Sequence, residues 1–280
     1  MTYSIVAYDA EDKTWGVAVA SKFPAVGAVV PWARANAGAV ATQSFANTSY
    51  GPRGLELMGD GLSASETLAK LLEEDPDRES RQVGLVDSRG GAATFTGKGC
   101  FRWAGGETGE CFAVQGNILA GRKVVSALER KFRSTKGDLP TRLYSALLAG
   151  DRVGGDRRGR QSAAIYVVKP GGGYGGFGDR WFDYRVDDHE DPVVRLGELI
   201  ELHHLYFEKS PESERLPLTG KPLEKVRGIL KREGYLKRNR SLDQAFSEFM
   251  GNENFEERAD PSARWIDKPV LEYLLKKFGI

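Results

Sequence analysis

Threonine stands second in the chain, directly behind Met1, and the alternating run Tyr3-Ser4-Ile5-Val6-Ala7-Tyr8 begins immediately after it. If Met1 is removed, Thr2 carries a hydroxyl nucleophile and a free α-amine on one residue, at the tip of a strand. An α-amine titrates near ~7.7–8.0, so at neutral pH an appreciable neutral fraction exists to accept the hydroxyl proton. That pairing is a known way to activate a threonine. Many intracellular chains also carry a small residue at position 2 with no catalytic role, so position alone leaves both readings open.

Such a residue needs elements that hold it. From Thr2 to about residue 209, glycine-punctuated segments rich in β-formers alternate with helical ones. Residues 15–20, 37–42, 82–87, 92–96, 111–115 and 162–168 read as strands bounded by Gly, Asp or Pro. Several are small-residue-rich on both faces, which suits sheets covered on each side. Apolar residues at helical spacing predict helices over 54–58, 63–74, 122–133, 139–149 and 192–208, the second opened by a capping box of Ser63 and Glu66. Strict βαβ alternation is absent. Two strand clusters with helix pairs outside them predict an α+β fold, a four-layer α/β/β/α sandwich.

After Lys209 the texture changes. Residues 210–220 form a polar, proline-marked linker, and residues 221–280 carry short helical segments over 223–233, 241–250 and 268–278. Gly234 reads as a C-cap and Ser241, with Gln244 three residues on, as an N-cap. The chain therefore divides into a large domain, 1–209, the linker, and a small helical domain near the lower size limit for independent folding.

Composition bounds the partners. Of 280 residues, 40% are hydrophobic and 28% charged, and 40 Lys and Arg against 39 Asp and Glu leave a net charge of +1. No global electrostatic case for nucleic acid or an anionic membrane follows. No apolar run approaches the ~20 residues needed to cross a bilayer, and the N-terminus has no secretory signal pattern, so a cytoplasmic location is expected. Cys100 and Cys111 are too few for a disulfide framework or a Cys-based zinc site. They flank a segment, 101–110, that reads as a turn between two strands, where they can lie opposite each other and bond; two buried free thiols are the expected state. Lys169-Pro-Gly-Gly-Gly-Tyr-Gly-Gly-Phe-Gly178 lacks the Gly-Lys-Ser/Thr ending of a P-loop and reads as a mobile hairpin loop at the rim of a site. No cofactor and no metal is implied. Asp187, Asp188 and His189 alternate in direction and suit the positive end of the helix that follows Pro192 better than a metal. His203 and His204, mid-helix, read as packing or surface residues.

Several motifs together carry a resemblance. Ser21-Lys-Phe-Pro-Ala-Val-Gly-Ala-Val-Val-Pro-Trp-Ala-Arg-Ala, Gly38-Ala-Val-Ala-Thr-Gln-Ser-Phe-Ala-Asn, Tyr50-Gly-Pro-Arg-Gly-Leu, Val114-Gln-Gly-Asn-Ile-Leu, Gly155-Asp-Arg-Arg-Gly-Arg-Gln-Ser-Ala-Ala and Arg185-Val-Asp-Asp-His resemble a prokaryotic family of unknown function. That family is placed in the N-terminal nucleophile (Ntn) hydrolase-like fold, and some members carry a fimbrial-assembly label. The match covers residues 1 to about 208. Val226-Arg-Gly-Ile-Leu-Lys-Arg-Glu-Gly-Tyr, Leu242-Asp-Gln-Ala-Phe, Asn252-Glu-Asn-Phe-Glu-Glu-Arg and Ile266-Asp-Lys-Pro-Val-Leu-Glu-Tyr-Leu are similar to a module named for peptidoglycan binding.

The resemblance implies a site where strand ends of two sheets converge on Thr2. Gln43 and Asn117, at strand ends, are then candidates to hold an oxyanion, with a satisfied turn amide as the competing reading for each. Arg157, Arg158 and Arg160, with Gln161, lie between two glycines and before an apolar strand, where they can clamp an anionic group or belong to a solvated turn. Asp156 can orient one of these arginines or the threonine amine. Ser21 and Lys22 follow the second strand; a lysine there can lower the amine pKa by like-charge repulsion, and Arg34 competes for that role. The implied activity is hydrolysis of a small amide or peptide-like molecule, with a homo-oligomer and a peptidoglycan fragment as expected partners. The competing reading is a non-catalytic Ntn-like scaffold whose helical tail binds glycan or protein.

Overall fold

The computed structural model describes residues 2–208 and 210–279. Met1, on whose removal the reading of Thr2 depends, lies outside the described residues, as does Lys209 at the expected domain boundary. The chain runs through β1 (Thr2–Asp9), β2 (Thr14–Ser21), β3 (Pro31–Arg34), β4 (Gly38–Ser44), α1 (Tyr50–Gly59), α2 (Ala64–Glu73), β5 (Arg81–Asp87), β6 (Ala92–Thr96), β7 (Gly105–Gly109) and β8 (Phe112–Asn117). It continues with α3 (Lys123–Ser134), α4 (Leu139–Arg152), β9 (Ser162–Val168), β10 (Arg180–Val186), α5 (Pro192–Phe207), β11 (Arg215–Pro217), α6 (Gly220–Arg232), α7 (Leu242–Asn252), β12 (Trp265–Asp267) and α8 (Lys268–Lys277). The fold is α+β, and every strand pair is antiparallel.

Two compact units result, residues 1–200 and 201–280. In the first, a six-stranded sheet of order β10-β9-β2-β1-β8-β7 stacks on a four-stranded sheet of order β3-β4-β5-β6. The strand period of two sorts side chains between layers. Tyr3, Ile5 and Ala7 of β1 pack with Leu128 of α3 and Leu143 and Leu147 of α4. Val6 and Tyr8, one position out of phase, pack with Val17, Val19, Ala39, Ala41 and Val86 between the two sheets. On the far side, Val40, Val83 and Leu85 meet Leu55 and Met58 of α1 and Leu71 of α2. Each fully buried Val, Leu or Ile among them contributes roughly 1.5–3 kcal/mol. α2 begins as its sequence predicts, Ser63 and Glu66 capping each other's backbone N–H groups.

The second unit has its own core of Val226, Ile229, Leu230, Phe246, Phe249, Phe255, Ile266 and Leu274. Arg258 is buried within it and donates from Nε to Asp267 Oδ2 at 2.6 Å and from Nη2 to Ser210 Oγ at 3.1 Å; Nη1 reaches the carbonyls of His204 and Leu205 at the end of α5. The segment read as a linker, 210–220, is partly ordered secondary structure, because β11 pairs with β12 through Arg215–Asp267 and Leu216–Ile266. His203 is buried, and that burial, with the neighbouring His204, pulls its pKa to about 4, as a packing residue requires.

Other differences from the sequence reading have plain causes. The 101–110 segment is not only a turn: Gly105-Gly-Glu-Thr-Gly109 is the edge strand β7, disguised by three glycines. Cys100 and Cys111 are free thiols. β3 and β10 are edge strands that the sequence reading omits. The glycine-rich 169–178 loop joins β9 to β10 where Val168 pairs with Trp15, six residues from the Ser21–Ser162 end of the same strands. It is therefore roughly 20 Å from Thr2 and does not rim that site. Among the described residues no helix is long and apolar enough to cross a membrane.

One buried carboxylate organises the loop after β4. Asp75 accepts from Arg81 Nε at 2.9 Å, Asn47 Nδ2 at 3.1 Å, Tyr50 Oη at 3.0 Å and its own loop's Asp77 N–H at 2.8 Å. Burial alone would raise its pKa, but these donors outweigh burial and hold it well below the usual carboxylate range. Because the folded pKa is depressed, its stabilisation is complete above pH ~4 and is lost as the pH falls through the folded value. Asp75→Asn is therefore expected to lower Tm at pH 7 and to narrow the gap between Tm at pH 7 and at pH 3, read by circular dichroism melts. In the second unit, Arg258→Met leaves Asp267 charged, buried and unpaired, at a cost of about 3–5 kcal/mol. Hydrogen exchange should show faster exchange across α6, α7 and α8.

Candidate functional site at the end of the central strand

β1 lies inside the larger sheet, between β2 and β8, with Thr2 opposite Asn117. Thr2, Ser4, Ser21, Gln115 and Asn117 share the parity of the side chains that face the smaller sheet. Gln43 and Gln82 face them from β4 and β5, where they are register partners. All seven residues are buried, Thr2 at 6% exposure being the most accessible. Buried amides must be hydrogen-bonded to be tolerated, since each orphaned group costs about 1–3 kcal/mol.

They form one donor-to-acceptor chain. Gln115 Nε2 donates to Ser4 Oγ at 2.6 Å, and Ser4 Oγ donates to Gln43 Oε1 at 2.7 Å. Gln43 Nε2 donates to Gln82 Oε1 at 2.8 Å and to the Thr2 carbonyl at 3.3 Å. Asn117 Nδ2 donates to the same Gln82 Oε1 at 3.0 Å. Gln82 Nε2 then donates to Thr96 Oγ1 and to the Gly116 carbonyl, both at 2.8 Å. Gly84 makes room: a Cβ there would stand 2.0 Å from Gln115 Oε1. Gln82 is the junction of this seam and was absent from the sequence reading. A signal existed, since three strands each carry a glutamine at the phase that points between the sheets.

Thr2 ends the seam. Its Oγ1 lies 3.2 Å from Ser21 Oγ. Thr2, Ser21, Gln43 and Asn117, four residues singled out from sequence, are thus brought together. Gln43 is less free than expected, because both amide N–H groups are taken by Gln82 and Thr2. Asn117 gives one N–H to Gln82, and its other has no partner among the described residues.

The arginine segment forms a second group, displaced to the helix-covered side of the sheet. A cavity of about 240 Å³ there is lined by Tyr3, Ser21, Asp151, Asp156, Arg160 and Glu190 among others, and Thr2 is not in its wall. Asp156 accepts the Lys22 N–H at 2.8 Å through Oδ2 and the Arg158 N–H at 2.8 Å through Oδ1, and Arg158 Nη2 reaches both Asp156 Oδ2 and the Lys22 carbonyl. Of its two open roles, Asp156 holds an arginine. Arg160 grips Asp151 with Nε and Nη2, each at 2.9 Å, and Asp191 with Nη1 at 2.9 Å. Asp151 also accepts from Tyr3 Oη at 3.1 Å, and burial followed by that carboxylate raises the phenol's pKa well above its ordinary value. Gln161 donates to Asp188 Oδ1 at 3.1 Å. Arg158 and Arg160 therefore spend their donors on internal carboxylates and fasten loops, which argues against an anion clamp. Arg157 has an exposed side chain, and its N–H donates to the Ile118 carbonyl at 3.4 Å. Lys22 exposes its side chain and serves the site through its backbone. Arg34 is elsewhere, donating to the Leu55 carbonyl in α1 at 2.7 Å. Asp187, Asp188 and His189 precede α5 as anticipated, with the Asp191 N–H donating to His189 Nδ1.

Residues 2–196 match the model of a "Family of unknown function (DUF1028)". The chain belongs to this family. Residues 206–274 match a second model, described as "Putative peptidoglycan binding domain". The crystal structure of protein SPO2555 from Silicibacter pomeroyi, assigned to the same DUF1028 family model, is similar at 29% identity and a TM-score of 0.67, covering 72% of this chain and 86% of that one. Anbu (ancestral beta-subunit) from Yersinia bercovieri superposes at a TM-score of 0.32 and 10% identity, over 75% of this chain and 99% of that one. No curated protein matches.

The whole seam, from Thr2 to Asn117, falls within the DUF1028 span. Gln82→Leu keeps the volume but orphans the amides of Gln43 and Asn117 and the Gly116 carbonyl. At about 1–3 kcal/mol per orphaned group, a loss of at least 3 kcal/mol is expected in urea unfolding; a change under about 0.5 kcal/mol would show that the seam does not hold the sheets.

Proposed function

We propose that this chain is an N-terminal-nucleophile amidohydrolase acting on a small amide or peptide-like molecule, and that its two sheets with their flanking helices are a four-layer Ntn-hydrolase-like sandwich. The observation that carries this reading is the Thr2 hydroxyl at the end of an interior strand, 3.2 Å from Ser21 Oγ and opposite Asn117. With Met1 removed, the α-amine takes the hydroxyl proton, directly or through Ser21, while Oγ1 attacks the carbonyl carbon. The spare Asn117 N–H and a neighbouring backbone N–H would hold the oxyanion, each such donor being worth about 10²–10³ in rate. Collapse breaks the carbon–nitrogen bond, and the proton passes from the amine to the leaving nitrogen. Water, activated by the same amine, then hydrolyses the threonyl ester. Gln43 positions Thr2 through its carbonyl rather than meeting the oxyanion.

A second reading rests on the C-terminal match: a non-catalytic scaffold whose tail binds a peptidoglycan fragment or a protein. The two readings part at Thr2. In the catalytic one, screening small amides finds turnover that Thr2→Ala lowers by about 10³-fold or more and Thr2→Ser largely retains, with stability changed by no more than about 1 kcal/mol. Turnover equal to wild type in Thr2→Ala removes the nucleophile assignment.

A further inference from the structure

Just beyond Gln43 and Asn117, two phenyl rings stand in water. Phe45 and Phe101 are 57% and 58% exposed, and their ring centroids are 6.1 Å apart. They are not carried on loose chain. The Phe45 N–H donates to the Ser80 carbonyl at 3.3 Å, and its own carbonyl accepts from Arg81 Nη1 at 2.7 Å. The Phe101 carbonyl accepts the Ile118 N–H at 2.8 Å. Arg81 is in turn anchored on Asp75 at 2.9 Å.

The residues that turn the chain toward these rings are strained. Ser44, between Gln43 and Phe45, has φ 73°, and Ile118, directly after Asn117, has φ 50°. The left-handed region is uncommon for any residue but glycine and a true outlier for a β-branched one, and it persists only where surroundings impose it. The strained Ser44 ends β4 one residue past Gln43, and Ile118 follows Asn117, the last residue of β8; these are the two amides that contact or pair with Thr2. Apolar surface held rigidly in water, two residues from Gln43 and fastened by hydrogen bond to the residue after Asn117, marks a binding surface.

We propose that the Phe45–Phe101 pair is the subsite for an aromatic or comparably apolar group on the acyl side of the substrate amide. This assignment rests on the reading of Thr2 as nucleophile and narrows it to arylacyl-type amides. The occupant is substrate rather than a protein because both rings are fastened to residues adjoining Gln43 and Asn117, which contact or pair with Thr2. The 240 Å³ cavity meets the Thr2 neighbourhood at Ser21, but its walls carry the charged Asp151, Asp156, Arg160 and Glu190 rather than an aromatic surface.

The test uses the full chain with phenylacetamide and acetamide as probes in saturation-transfer NMR. Phenylacetamide ring protons are expected to receive saturation from the wild type and to lose it in Phe45→Ala/Phe101→Ala, while acetamide gives none with either. Equal transfer to phenylacetamide in both proteins overturns the subsite. Where turnover is found, the ratio of kcat/KM for phenylacetyl over acetyl 4-nitroanilide should fall about tenfold in the double variant; an unchanged ratio contradicts the proposal. Both rings are exposed, so folding should be intact, and the single variants Phe45→Ala and Phe101→Ala repeat the comparison if the double variant melts lower. A double variant that instead dissociates a wild-type oligomer on size exclusion assigns the pair to a second copy and also overturns it. Active Thr2→Ala would dismiss the nucleophile alone, because the NMR contrast is read without chemistry.

Discussion

The junction at Gln82 Oε1, where the amides of Gln43 and Asn117 meet, is the interaction on which the rest of the first unit depends. Two sheets that face each other through aliphatic side chains alone can slide, since apolar contact has no direction. A seam of buried amides cannot slide without orphaning several groups at once. It fixes how β4 and β5 lie against β1 and β8, and Thr2 is held at its end by one hydrogen bond from the same Gln43 amide.

This explains why the molecule has two polar regions at one end of the larger sheet rather than one. The alternation of β1 sends the Thr2 side chain toward the smaller sheet and the Tyr3 side chain toward α4. Tyr3, Asp151 and Arg160 then belong to the helix-covered side, and Asp156 ties that side back through the Lys22 backbone beside Ser21. Carboxylates that neutralise Arg158 and Arg160 make these loops rigid, and rigidity at Ser21 matters more to Thr2 than another nearby charge. The strained turns at Ser44 and Ile118 complete the frame.

Much of this was legible in the sequence. Helical spacing and the Ser63–Glu66 capping box located α2, and small-residue runs located β2, β4, β5 and β9. The Thr2, Ser21, Gln43 and Asn117 grouping was also within reach, because each ends a strand. Edge strands were not: β7 hides in glycines, β3 begins with a proline, and β10 follows a loop whose composition masks its onset. The arginines stayed ambiguous for a physical reason. A run of guanidinium groups reads as an anion site until the carboxylates that face it, Asp151 and Asp191, are brought from distant segments by folding. Gln82 was passed over because a glutamine in a strand is usually solvent-facing; only its phase shared with Gly84 and Val86 betrays the inward direction.

The account turns on Thr2 being the first residue of the working chain and the one that reacts. The most direct measurement is peptide mapping by mass spectrometry of natively produced protein after exposure to a β-lactone electrophile. The account predicts a first peptide that begins at Thr2 and bears the acyl adduct on that residue. A first peptide that begins with Met1, or an adduct elsewhere with Thr2 unmodified, would contradict it.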